Sequence, residues 1–216
     1  MMVLKEVFNF FIHLDTHLDL LIQYFGLYSY LILFIIIFVE TGLVIIPFLP
    51  GDSLLFLAGA FAARGLFNVI ILFIILSIAA ILGDTVNYWI GSYFGKKLFK
   101  NKNSKIFKQE YLEKTQGFYH KYGGKTIIIA RFIPIIRTFA PFVAGVGKMH
   151  YPRFLFFNII GGISWIAIFL FGGFLFGNLP FIQENLSIFI LIIIIISIIP
   201  PVIEYVRNRK SKSLDF

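Results

Sequence analysis

The chain has 216 residues, 59% of them hydrophobic and only 14% charged, where a soluble domain averages about 45–50% apolar and about 25% charged residues. That excludes a soluble enzyme or a separate soluble domain, and zero cysteines exclude disulfides, thiolate metal sites and cysteine nucleophiles. The net charge of +8 gathers in two stretches beside apolar runs, where cytoplasmic loops facing anionic headgroups explain it better than nucleic-acid binding does.

Residues 1–26 carry His13, Asp15, His17 and Asp19 among apolar residues, which predicts an amphipathic helix lying in the membrane interface. His13 and His17 share a helix face, but no third ligand accompanies them, so no metal and no cofactor is expected. No cleavable signal peptide is expected either, since the N-terminus lacks a basic region and a small-residue cleavage site. The apolar block 27–63 is broken by ETG at 40–42 and by PFLPGD at 47–52. It is predicted to dip in from the outer face and return, breaking at Pro47, Pro50 and Gly51. A span follows at 66–95.

The connector 96–125 holds nine lysines against Glu110 and Glu113 and reads as a cytoplasmic amphipathic helix, stopped by Gly123-Gly124. Segment 126–147 contains RFIPIIRTFAP and has cytoplasmic sequence at both ends. It is too short for two crossings of about 20 residues each, so a second re-entrant hairpin is predicted, broken at Pro134 and Pro141. Spans at 154–177 and 186–206 and a basic tail at 207–216 complete the chain, with a cytoplasmic C-terminus. An acidic N-terminal segment favours an outer N-terminus; a cytoplasmic one, with a crossing added or lost, is the alternative.

The fold class expected is therefore an all-α polytopic membrane protein, with two opposed re-entrant hairpins and about three full transmembrane helices in one domain, 27–206. PFLPGDSLLFLAGAF and PIIRTFAPFVAGVG each place a charge shortly before an Ala-Gly pair, and a span bearing one tryptophan, Trp89 or Trp165, follows each. This pattern points to an inverted repeat of the kind secondary transporters use. Gly59, Gly145 and Gly161-Gly162 are expected to permit close helix packing.

Five ionisable residues lie inside apolar blocks: Glu40, Asp52, Asp84, Arg131 and Arg137. Each costs about 2.5–3.5 kcal/mol at a helix centre. Unpaired, the set would cost on the order of 12–17 kcal/mol, comparable with the stability of a domain. They must pair, protonate or face water. One reading makes them ion pairs that lock two hairpins together. The other makes them a site, with the arginine forks holding a phosphate or carboxylate and a surplus acid, Glu40 or Asp52, carrying a proton. Asp84, with Asn87 one turn on, could instead be a polar contact between helices.

ETGLVIIPFLPGDSLLFLAGAF, GDTVNYWIGSYFG, GGKTIIIARFIPIIRTFAPFVAGVGKM and FNIIGGISW together resemble the bacterial DedA family over almost the whole chain. The resemblance implies a multi-pass inner-membrane protein with two opposed re-entrant hairpins, distantly related to eukaryotic lipid scramblases. It implies a part in recycling undecaprenyl phosphate across the membrane, and envelope integrity dependent on the proton-motive force. The family's important charged positions fall here on Glu40, Asp52, Arg131 and Arg137.

The expected function is thus a transporter or flippase of an anionic lipid carrier, with membrane lipids as partners. An ion antiporter using the same acids, or a non-transporting assembly protein docking through its basic connector, are the alternatives. An enzyme is not expected. There is no HExxH, no Ser-Gly-His accompanies the arginines, and the GIS at 162–164 has Trp165 where a serine-protease loop needs glycine.

Overall fold

The computed structural model describes residues 26–43, 51–98, 109–177 and 179. The expected interfacial segment, Pro47, Pro50, the first part of the connector, the span at 186–206 and the tail lie outside the described residues. Those described are mostly helical, with no strand among them. In chain order they form α1 (Tyr28–Gly42), α2 (Gly51–Ala63), α3 (Val69–Leu98), α4 (Gln109–Tyr122), α5 (Thr126–Ala130), α6 (Pro134–Val146), α7 (Tyr151–Ile166) and α8 (Gly172–Gly177). A turn of π-helix, Ala167–Phe171, joins α7 to α8 without a break.

Two stretches are long and apolar enough to cross a bilayer, Val69–Phe94 with 26 residues and Tyr151–Gly177 with 27. At about 1.5 Å per residue each reaches roughly 40 Å, beyond the ~30 Å hydrocarbon core. The outer surface of α3 shows why water is not its solvent. Ile70, Ile74, Ile78, Leu82, Val86, Trp89 and Tyr93 are all exposed, at spacings of three or four that align them along one helix face. On α7, Phe156, Ile159, Ile160 and Ile163 are exposed as well. Continuous apolar stripes of this extent mark a surface that meets lipid. The chain is a membrane protein.

Among the described residues the fold divides into two compact units, the first including residues 51–72 and 169–177, the second including Leu33 onward in α1, residues 73–98 and residues 109–168. In the first, α2 lies directly on α8. A side chain at Gly59 would strike the Leu170 carbonyl, and one at Gly173 the Phe56 backbone. Asn68 starts α3, its Oδ1 accepting from the N–H groups of Ile70 at 3.0 Å and Ile71 at 3.2 Å, as an N-cap does. Gly51 opens α2 rather than lying in a turn, and Asp52 sits half-buried in its first turn.

The second unit contains the arginine-bearing segment. The residue before a proline is pushed out of the helical region, and Ile133 is extended, with φ −120° and ψ 106°. The chain therefore breaks between α5 and α6, and Pro134 begins α6 instead of ending a helix. Pro141 departs from expectation: it lies inside α6. It has no N–H to return to the Arg137 carbonyl four residues back, yet the helix continues past it, and two nearby carbonyls of α6 accept from other elements. Asn87 Nδ2 donates to Thr138 O at 2.9 Å and Tyr119 Oη to Ala140 O at 2.9 Å. Burial pushes the Tyr119 phenol further up than the usual tyrosine range, so it keeps the proton it donates.

Glycines set the spacing here too. Gly91 of α3 rests against the backbone of Phe142, and Gly145 of α6 against the Tyr88 carbonyl. Near that contact Tyr88 stacks on Phe154 with centroids 4.5 Å apart, and Trp89 lies 5.3 Å from Tyr151. With exposed Trp89 and Tyr93 beside them, these rings form the aromatic belt expected at a membrane–water interface.

Candidate functional site

Four helices of the second unit deliver polar side chains to one place: α1 brings Glu40 and Thr41, α3 brings Asp84 and Asn87, α6 brings Arg137 and Thr138, and α7 brings Asn158 and Trp165. Arg131 enters from the break between α5 and α6, where the irregular backbone lets it leave the helix line. Arg131 Nη2 is ion-paired with Asp84 Oδ2 and donates to Asn158 Oδ1 at 2.6 Å. Asn158 Nδ2 in turn donates to Ile81 O at 3.0 Å, which fixes the amide so that its oxygen faces the guanidinium. Arg137 Nη2 is ion-paired with Glu40 Oε1.

Trp165 joins the two pairs. Its ring lies 4.9 Å from the Arg137 guanidinium carbon and 5.9 Å from that of Arg131, within cation–π reach of both. The indole is buried, 1% exposed, so these contacts are made away from solvent screening. Gly161 and Gly162 make the room: a side chain at Gly161 would sit 3.2 Å from Arg131 Cδ. The glycine pair thus admits an arginine, not just a neighbouring helix.

Between the pairs is a cavity of about 10 Å³, lined by Thr41, Asp84, Arg131, Arg137, Thr138 and Trp165. That is the room of one water molecule. A phosphate group does not fit unless a carboxylate withdraws. Arg131 Nε and Asn87 Oδ1 are buried and have no hydrogen-bond partner among the described residues, so the site holds polar capacity that its present contacts do not use. The four charges Glu40, Asp84, Arg131 and Arg137 sum to zero, as burial at membrane depth requires.

Of the five ionisable residues singled out in the sequence, four meet here. Asp84 pairs with Arg131, while Asn87 makes the contact between helices, through Thr41 O at 3.2 Å and Thr138 O. Asp52 lies in the first unit. The sequence reading missed Asn158 and Trp165 as partners. Asn158 carried a signal, an amide within an apolar span that must find hydrogen bonds; Trp165 carried none, because an indole in a span is ordinarily packing. Among the described residues no group of acids and histidines is arranged to hold a metal ion.

A family model described as the VTT domain matches residues 49–175. The chain is 53% identical over 205 residues to protein DedA of Escherichia coli (strain K12), covering 94% of each. It is 44% identical over 179 residues to a membrane protein of Mycobacterium leprae (strain TN), covering 83% of this chain and 80% of that one. Similarity to the inner membrane protein YqjA of E. coli (strain K12) is 35% over 151 residues, covering 70% and 69%. No solved structure matches. With the domain match across its helical core and identity to DedA along nearly its whole length, the chain belongs to the VTT-domain, or DedA, family of membrane proteins.

Proposed function

We propose that the chain moves a phosphate-bearing lipid, undecaprenyl phosphate by the family resemblance, between the leaflets of a bacterial inner membrane. The observation that carries this reading is the pair of arginines, each held by a carboxylate and both by Trp165, around a cavity the size of one water. Arginine's planar fork matches phosphate oxygens as well as carboxylate oxygens. Glu40 and Asp84 occupy the positions a phosphate would take, and the headgroup enters by displacing them. The apolar stripes on α3 and α7 leave the lipid tail in contact with bilayer throughout.

Charge counting adds the coupling. The resting cluster is neutral, and a buried net charge is costly. A monoanionic phosphate binds without that cost only if a carboxylate takes up a proton as it lets go of its arginine. Glu40 and Asp84 are the proton acceptors in this scheme. The short helices support the re-entrant topology. α1 has 15 residues, α2 13 and α6 13, roughly 20–23 Å each and short of a ~30 Å crossing. The hairpins in this reading enter from opposite faces as an inverted repeat, with the C-terminus cytoplasmic.

The test is reconstitution in liposomes with undecaprenyl phosphate, following its crossing with and without a pH gradient. Crossing should respond to the gradient and fall to background in R137A protein that retains its helicity. Equal crossing in parent and R137A would overturn the assignment. Proton or sodium flux that continues without any transportable lipid would favour the antiporter reading.

A further inference from the structure

A second cavity lies in the same unit, where α4, the end of α6 and the start of α7 meet. Its volume is about 560 Å³, within the ~300–1,000 Å³ of small-molecule sites. Val143, Ala144, Val146 and Met149 give it an apolar floor, and Arg153 a cationic rim beside His120, with no carboxylate among the described residues that line it. Lys125 and Lys148, both exposed, directly follow the lining residues Gly124 and Gly147 in the chain. Two left-handed backbone positions, Gly123 at φ 58° and Lys148 at φ 52°, turn the chain beside the opening.

The chemistry called for is an anion on an apolar stem. The floor is wider and greasier than free phosphate needs, and the rim is too basic for a neutral ligand. The lysine-rich connector belongs by the positive-inside rule to the side where the leaflet is rich in anionic lipids. We propose that this cavity binds an anionic glycerophospholipid, its phosphate on Arg153 and the upper part of its chains over Val143, Val146 and Met149. The bound lipid seats the connector helix α4 against the membrane domain. The site is separate from the arginine cluster and stands whether or not the chain transports lipid.

The experiment is native mass spectrometry of the full chain in detergent, titrated with short-chain phosphatidylglycerol, short-chain phosphatidylcholine and inorganic phosphate. Phosphatidylglycerol should bind in preference to phosphatidylcholine. R153Q should weaken that binding about tenfold, the loss of one charge-assisted contact, and V146W should remove it by filling the cavity. R137A should leave the same adduct in place, which separates it from any lipid held at membrane depth. Helicity and melting temperature are compared for each variant, and R153Q decides alone if V146W does not fold. Phosphatidylglycerol binding unchanged by R153Q overturns the proposal. So does equal binding of the two lipids, or uptake of inorganic phosphate without lipid.

Discussion

Arg131 makes two contacts through one nitrogen, Nη2: an ion pair with Asp84 and a hydrogen bond to Asn158 at 2.6 Å. Its value to stability depends on which partner is removed. D84A leaves a buried cation without its counter-charge and should lower unfolding free energy by ~3–5 kcal/mol. R131A should cost a similar amount, whereas the D84A/R131A pair, with no charge stranded, should cost clearly less than the sum. Denaturant unfolding in micelles measures this cycle; additive losses would mean that the pair is not coupled. The existence of such pairing was legible in the sequence, because five ionisable groups in apolar blocks cannot all remain alone. Which acid meets which arginine was not. Residues 84 and 131, or 40 and 137, are joined only by the tertiary fold, and Asp84 could equally have served its own neighbour Asn87.

At the scale of elements, the break at Ile133 has a local cause, since the ring of Pro134 disfavours helix at the residue before it. Pro141 obeys the same rules and yet lies within α6. Its neighbouring carbonyls at Thr138 and Ala140 accept from Asn87 and Tyr119, side chains from other helices that no local reading supplies. The glycines behave similarly. Small residues announced close packing, but that Gly91 and Gly145 would face each other's helix, or that Gly161 would admit an arginine, depended on register. G145L should force α6 away from Tyr88 and lower stability by ~1–3 kcal/mol or more, because the obstructing atom is backbone and cannot swing aside. Thermal unfolding in detergent checks this. A G145L melting temperature equal to the parent's would contradict the contact.

For the molecule as a whole, the membrane assignment was legible because it is a property of composition, and the exposed stripes on α3 and α7 give it a surface. The family was legible because several motifs recur together, and the domain match over residues 49–175 agrees. Coupling belongs to this scale, since it depends on the total charge and not on any one side chain. If anion entry takes up a proton, affinity for a phosphate-bearing lipid should fall as pH rises, by up to about tenfold per pH unit for one proton. The sign follows from mass action: the proton is a reactant in binding, so scarcity of protons opposes it. Lipid titrations at several pH values, in buffers of different ionisation enthalpy, would register the uptake directly. Affinity independent of pH, with no buffer dependence of the heat, would remove proton coupling from the mechanism.

The chain has two tryptophans, and they occupy opposite circumstances. Trp89 is 40% exposed on the lipid-facing stripe, and Trp165 is buried within cation–π reach of two guanidinium groups. A W89F protein would therefore contain a single tryptophan, already installed where the charges rearrange and excited apart from the tyrosines at the red edge of its absorption. Indole emission answers to nearby cations, so a guanidinium that turns from the ring toward a phosphate changes the colour and brightness of Trp165. The protein carries its own optical gauge of occupancy, and each encounter with a headgroup can be timed in a stopped-flow cell without attaching a label.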